Sequence, residues 1–150
     1  MLKYASDIDV SNWPYRWPHV RFDLLDNIEK MTIDTLDTLN DMCHTAATKY
    51  GWSYLVNSDY RPNGTGQHPK GRAVDLVFYD KTPGDVNVLS QFVFALRFNW
   101  TGVGFYPQWD IPGIHVDTRQ NAKFTAQWWR DESSKYRSVN DFFDGADSLA

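Results

Sequence analysis

Apolar residues recur every three or four positions at Ile33, Leu36, Leu39, Cys43, Ala46 and Tyr50, and this single stripe predicts a helix over about residues 26–50. Gly51 follows, where a C-terminal cap belongs. Residues 52–60 (WSYLVNSDY) are rich in aromatic and branched side chains and read as a strand. After a loop of turn-formers, residues 73–80 (AVDLVFYD) read as a second strand. Its apolar residues fall on both alternating faces, so it is expected to be covered on both sides. Residues 86–98 predict a second helix, with Val86, Leu89, Val93 and Leu96 on one face. Residues 102–106 and 113–118 predict two further strands, joined by the short loop PQWDIP. The order helix, two strands, helix, two strands predicts an α+β domain with a small, mainly antiparallel sheet packed against helices.

The two ends are less regular. Residues 1–25 include WPYRWPH, and each proline restricts the residue before it, so this part reads as an extended N-terminal arm. Such an arm either wraps the domain or meets a partner. From Asn121 onward the chain reads as a loop, with residues 130–150 forming a C-terminal tail that ends in a short helix. No repeat interrupts the 150 residues, which are expected to form one domain.

Charge and composition narrow the function. A formal charge of −4 argues against a general nucleic-acid footprint. No stretch approaches the roughly 18 apolar residues of a membrane span. The first 20 residues lack a basic segment followed by an apolar one, so the expectation is synthesis in a cytoplasm without a signal peptide. The lone Cys43 excludes an intrachain disulfide framework. Seven tryptophans suit a buried core, a groove with flat apolar walls, or both.

Candidate chemistry lies in two stretches. In AVDLVFYD, Asp75 falls on a strand expected to be buried, and a buried carboxylate needs a cation, a metal or several donors. His68 precedes it by seven residues, across a loop that Pro69 and Gly71 can reverse. In GIHVDT, His115 and Asp117 are two apart and share a strand face. Two imidazoles and one carboxylate make a set of three ligands, the number typical of catalytic zinc sites with an open fourth position. The same set also suits iron or another divalent ion. His44 reads as a partly buried helix residue and Arg72 as a solvated residue at a strand start.

SDYR followed by HPKGRAVD resembles the pattern S-x-Y-R … S-x-H-x-x-G-x-A-x-D of the zinc D-Ala-D-Ala carboxypeptidase family. The later GVGFY and IHVDTR resemble the second motif of its phage and bacterial peptidoglycan-peptidase branch, whose fold is shared with the hedgehog signalling domain. The likeness covers roughly residues 30 to 130. It implies Zn2+ held by His68, Asp75 and His115, with Arg61 contacting substrate or the developing oxyanion. Two positions depart from the pattern. Gly66 replaces the serine two before the first histidine, and Pro112 stands where many members carry a catalytic glutamate. Asp110 and Asp117 are the remaining candidates near it, Asp117 either as general base or as the group orienting His115.

What the resemblance implies is a zinc metallopeptidase acting on peptidoglycan or a D-amino-acid peptide, either as a carboxypeptidase or as a cross-link endopeptidase. Tyr60, Phe105, Tyr106, Trp109, Trp128 and Trp129 are candidates for groove walls or core. A phage endolysin awaiting lysis in the host cytoplasm, or a virion-associated cell-wall hydrolase, fits this reading. So does a non-catalytic zinc-containing module, such as a phage tail component, docking through the N-terminal arm or C-terminal tail.

Overall fold

The computed structural model describes residues 3–140. Six strands form one sheet: β1 (Ser53–Ser58), β2 (Ala73–Tyr79), β3 (Gly102–Tyr106), β4 (Gly113–Asp117), β5 (Ala126–Arg130) and β6 (Tyr136–Ser138). Their order across the sheet is β1-β2-β4-β3-β5-β6. Every neighbouring pair is antiparallel except β3 and β5, which run parallel. The architecture is therefore α+β, with a mixed sheet rather than a wholly antiparallel one.

Alternation along the three central strands divides the sheet into two faces. Val74, Leu76 and Phe78 of β2, Ile114 and Val116 of β4, and Val103 and Phe105 of β3 all enter the hydrophobic core. The other face of these strands carries Asp75, His115, Asp117 and three glycines, Gly102, Gly104 and Gly113. One strand set thus closes the core with half its residues and presents chemistry with the rest.

The helices cover the core face. α1 is a single turn (Trp13–Arg16), α2 spans Ile33–Thr45 and α3 spans Val88–Ala95. Leu36, Leu39, Met42 and Cys43 form the buried stripe of α2, and truncating one such leucine to alanine costs about 2–5 kcal/mol. The stripe continues to Ala46 in a π-helical turn, Ala46–Tyr50, which ends at Gly51 with φ 69°. α2 starts later than the predicted residue 26. Ile28–Lys30 forms a separate turn, Thr32 N–H donates to the Gly71 carbonyl (2.9 Å), and Tyr4 bridges Thr32, so tertiary pairing holds this segment out of the helix.

α3 starts at an Asn87 cap, whose side chain accepts from Leu89 N–H (2.8 Å). Its buried face is Gln91, Phe92, Phe94 and Ala95, whereas Val93 is 58% exposed. The predicted stripe through Val93 was wrong because this helix is apolar nearly all round, which leaves its orientation open. Gln91 is fully buried and satisfied: it accepts from Phe78 N–H (2.8 Å) and donates to the Val86 and Pro112 carbonyls.

The N-terminal residues are not extended. They make a series of short helical turns, and Trp13, Trp17 and Val20 sit in the core. β5 and β6 occupy a stretch predicted as loop, while the predicted final helix lies largely in 141–150, outside the described residues. Among the described residues, no helix is long and apolar enough to cross a membrane.

Candidate metal centre

A β-bulge between Val56 and Ser58 precedes the last β1–β2 pair, Ser58 opposite Asp75, and the chain then runs through a loop to a short turn, His68–Lys70. Gly71 closes that turn with φ 68°, and a β-carbon there would collide with the Lys30 carbonyl. Only glycine fits both demands. The turn brings His68 back over β2. Its Nδ1–H donates to the Asp59 carbonyl at 2.7 Å, which leaves Nε2 with a lone pair. Asp59 is itself anchored, since its carboxylate accepts from Asn27 N–H (2.8 Å).

His68 Nε2 is buried, makes no hydrogen bond, and lies 3.2 Å from Asp75 Oδ2. The other Asp75 oxygen, Oδ1, lies 2.9 Å from His115 Nδ1. One ligand atom from each of His68, Asp75 and His115 falls within 4.8 Å of the others, and all three residues are buried. An unpartnered nitrogen aimed at a buried carboxylate, with a second imidazole on that carboxylate's other oxygen, is a donor set that fits a divalent metal.

Asp117 stands behind the cluster. Its Oδ2 accepts from His115 Nε2–H (2.8 Å) and from Arg119 Nη2 (2.7 Å), and its Oδ1 accepts from the backbone N–H and Nε of Arg119. The carboxylate is fully buried with both oxygens engaged. It fixes the His115 ring with Nδ1 toward Asp75, the outer-shell arrangement that sets tautomer and orientation in histidine metal sites.

Electrostatics match this chain of contacts. Burial pushes the Asp75 carboxyl upward, but His115 on one oxygen and the nearby His68 imidazole outweigh it and bring it down to about 2. Asp117 is likewise opposed by burial and driven well below the usual carboxylate range by Arg119 and His115. Burial lowers His115, yet Asp117 and Asp75 on its two nitrogens raise it above an ordinary histidine.

The cluster opens onto a cleft of about 500 Å³, whose walls include Arg61, Tyr106, Trp109, Trp128, Arg130 and Tyr136. Arg61 is 55% exposed, with Nη2 3.9 Å from Asp75 Oδ2. Trp128 lies 5.2 Å from the His115 ring, under the Arg119 guanidinium, and donates Nε1–H to Tyr106 Oη (3.1 Å). Tyr106 stacks on Trp109 with ring centres 4.5 Å apart. Gly104 makes room for this wall, because a β-carbon there would strike the Trp128 indole.

Other sequence candidates lie elsewhere. Asp110 is exposed and lines an adjoining cavity with Arg61, Trp109 and Asp75. Tyr60 faces a separate cavity beside Tyr4, Lys30 and Lys70. Phe105 is buried in the core and Trp129 packs against it. Arg72 is not solvated: it is buried, and its Nη1 donates to Asp34 (2.9 Å) and to the Thr118 carbonyl (3.1 Å). His44 is exposed rather than partly buried. Sequence reasoning passed over Arg119, Arg130 and Tyr136. Arg119 had a signal, two residues beyond Asp117 in the same motif, whereas Arg130 and Tyr136 sit on strands that were not anticipated.

No family model, curated protein or solved structure matches the chain. Fold and geometry together define a small α+β domain with a candidate centre for a metal ion, built from His68, Asp75 and His115.

Proposed function

We propose that this domain is a zinc-dependent peptidase acting on peptidoglycan stem peptides, removing a terminal D-Ala or cutting a peptide cross-link. The observation that carries the reading is the buried His68–Asp75–His115 cluster at the base of a cleft edged by Arg61. The motif resemblance in SDYR, HPKGRAVD and IHVDTR supplies the substrate class. The chemistry a divalent metal supplies in such a site is polarisation of an amide carbonyl and a water pKa lowered toward about 7.

The chain's own groups take the remaining roles. Arg61 pairs with the substrate carboxylate or with the oxygen that gains charge. Tyr106, Trp109 and Trp128 form a flat wall along which a peptide lies. Asp117 holds His115 in place. Asp110, exposed in the adjoining cavity, is the carboxylate left to move a proton, because both Asp117 oxygens are already engaged.

A second reading is a metal-bearing binding module. It is favoured by Pro112 at the position of the usual glutamate and by the fully committed Asp117. Synthesis in a host cytoplasm, with action as a phage endolysin or a virion-borne hydrolase, belongs to the peptidase proposal. Chromatography of stem peptides ending in D-Ala-D-Ala, and of cross-linked dimers, after incubation with zinc-loaded protein separates the two readings. Release of D-Ala or monomer, lost in Arg61→Ala, supports the peptidase; binding of the same peptides without any product supports the module.

A further inference from the structure

In the last turn of α2, away from the cleft-lining residues, His44 meets His19 of the N-terminal segment. His44 Nδ1 lies 2.9 Å from His19 Nε2, and the ring centres are 4.3 Å apart with planes tilted by 50°. Such a contact requires one nitrogen to carry a proton and the other to offer a lone pair. The ring centres are closer than a head-on pair at this nitrogen separation allows. The two rings therefore meet off-axis rather than head-on.

We propose that His19 and His44 form a second metal site, for Cu2+ or Ni2+, which clips the N-terminal segment to α2. Two metal–imidazole bonds of about 2.0–2.1 Å meeting at a right angle place their nitrogens about 2.9 Å apart, whereas a tetrahedral angle needs about 3.3 Å. The observed 2.9 Å matches the right angle. That angle belongs to tetragonal and square-planar sites, the geometry of Cu2+ and Ni2+ with nitrogen ligands.

The surroundings favour the same conclusion. His19 is held in place, since its backbone N–H donates to Asn40 Oδ1 (2.8 Å) and its carbonyl accepts from Tyr54 Oη (3.3 Å). His44 is exposed, so water completes the coordination and ions reach the site from solvent. Asp41, three residues before His44 and exposed, lies on the same side of the helix and adds negative charge near a cation. The metal replaces the shared proton and ties two segments 25 residues apart.

The site is independent of the peptidase proposal and is tested without any turnover assay. Tag-free full-length protein, preloaded with one equivalent of Zn2+, is titrated with Cu2+ by calorimetry and followed by electron paramagnetic resonance. The expected result is one added Cu2+ per chain showing coupling to two nitrogens, with zinc retained. His44→Ala and His19→Ala should each weaken that binding by about tenfold or more, and the double variant should add little, because both ligands serve one ion. Circular dichroism verifies that the variants remain folded. Ni2+ should raise the melting temperature of the wild type and not of His44→Ala. Equal Cu2+ affinity in wild type and both single variants overturns the proposal, as does uptake of Cu2+ only in exchange for zinc.

Discussion

Asp75 and His115 sit directly opposite each other in the β2–β4 pair, with Asp75 Oδ1 2.9 Å from His115 Nδ1. Antiparallel register thus brings together a carboxylate and an imidazole that are 40 residues apart, and the turn at His68 adds the third donor. Two of the three donors ride on interior strands of the sheet, hydrogen-bonded on both sides. Such placement suits a centre whose ligands must be held before the ion arrives.

Removing a donor should abolish tight metal binding. His68→Ala and Asp75→Asn are each expected to weaken zinc by more than about a hundredfold, since a site with two ligands holds the ion far less well. Calorimetry with zinc on the purified variants checks this. Stoichiometric, tightly held zinc in both variants would contradict the assignment.

Asp117→Asn tests orientation against direct participation. The amide keeps the shape but loses the charge that holds His115 and Arg119, so zinc affinity should fall by about 10–100-fold while binding persists. Asp110→Asn should leave zinc affinity unchanged and lower kcat. Equal zinc affinity in wild type and Asp117→Asn would show that the carboxylate does not act through His115.

The metal-free protein should have a characteristic pH dependence. Asp75 has a folded-state value of about 2, below the ordinary carboxylate value near 3.9, so its contribution is complete above about pH 4 and is lost as pH falls toward 2. That contribution is about 2 kcal/mol. His115 is raised, so its contribution is present below about pH 6.5 and is lost as pH climbs through its folded value. Urea midpoints with chelator present should therefore be highest between these limits. Asp75→Asn should flatten the acid side, and an unchanged acid slope would argue against the pairing.

Gly104→Ala places a methyl group where the Trp128 indole lies. The expected cost is about 1–3 kcal/mol, with a shift in tryptophan emission as the ring leaves the Tyr106 hydroxyl. Urea unfolding followed by fluorescence measures both. Wild-type stability and emission would mean that Trp128 is not packed over this glycine.

Period-two alternation made much of the site legible in advance. It placed Asp75 on one face of its strand, and it put His115 and Asp117 on a shared face. Tertiary context decided what it left out. Arg72 reads as solvated until Asp34 arrives from α2 to pair with it, 38 residues earlier in the chain. β5 joins the sheet beside β3 and parallel to it, a pairing that hairpin signals do not announce. The N-terminal prolines suggested extension, yet burial of Trp13 and Trp17 folds that segment into turns against the core. α3 kept its identity but not its face, because an apolar helix with little polar contrast does not state which side is inward.

The most direct test is elemental analysis of the purified protein joined to turnover of peptidoglycan stem peptides, with and without chelator. The account predicts one zinc per chain and cleavage that chelator stops and added zinc restores. Protein that carries no zinc and takes none up, or that cleaves equally well in chelator, would contradict it.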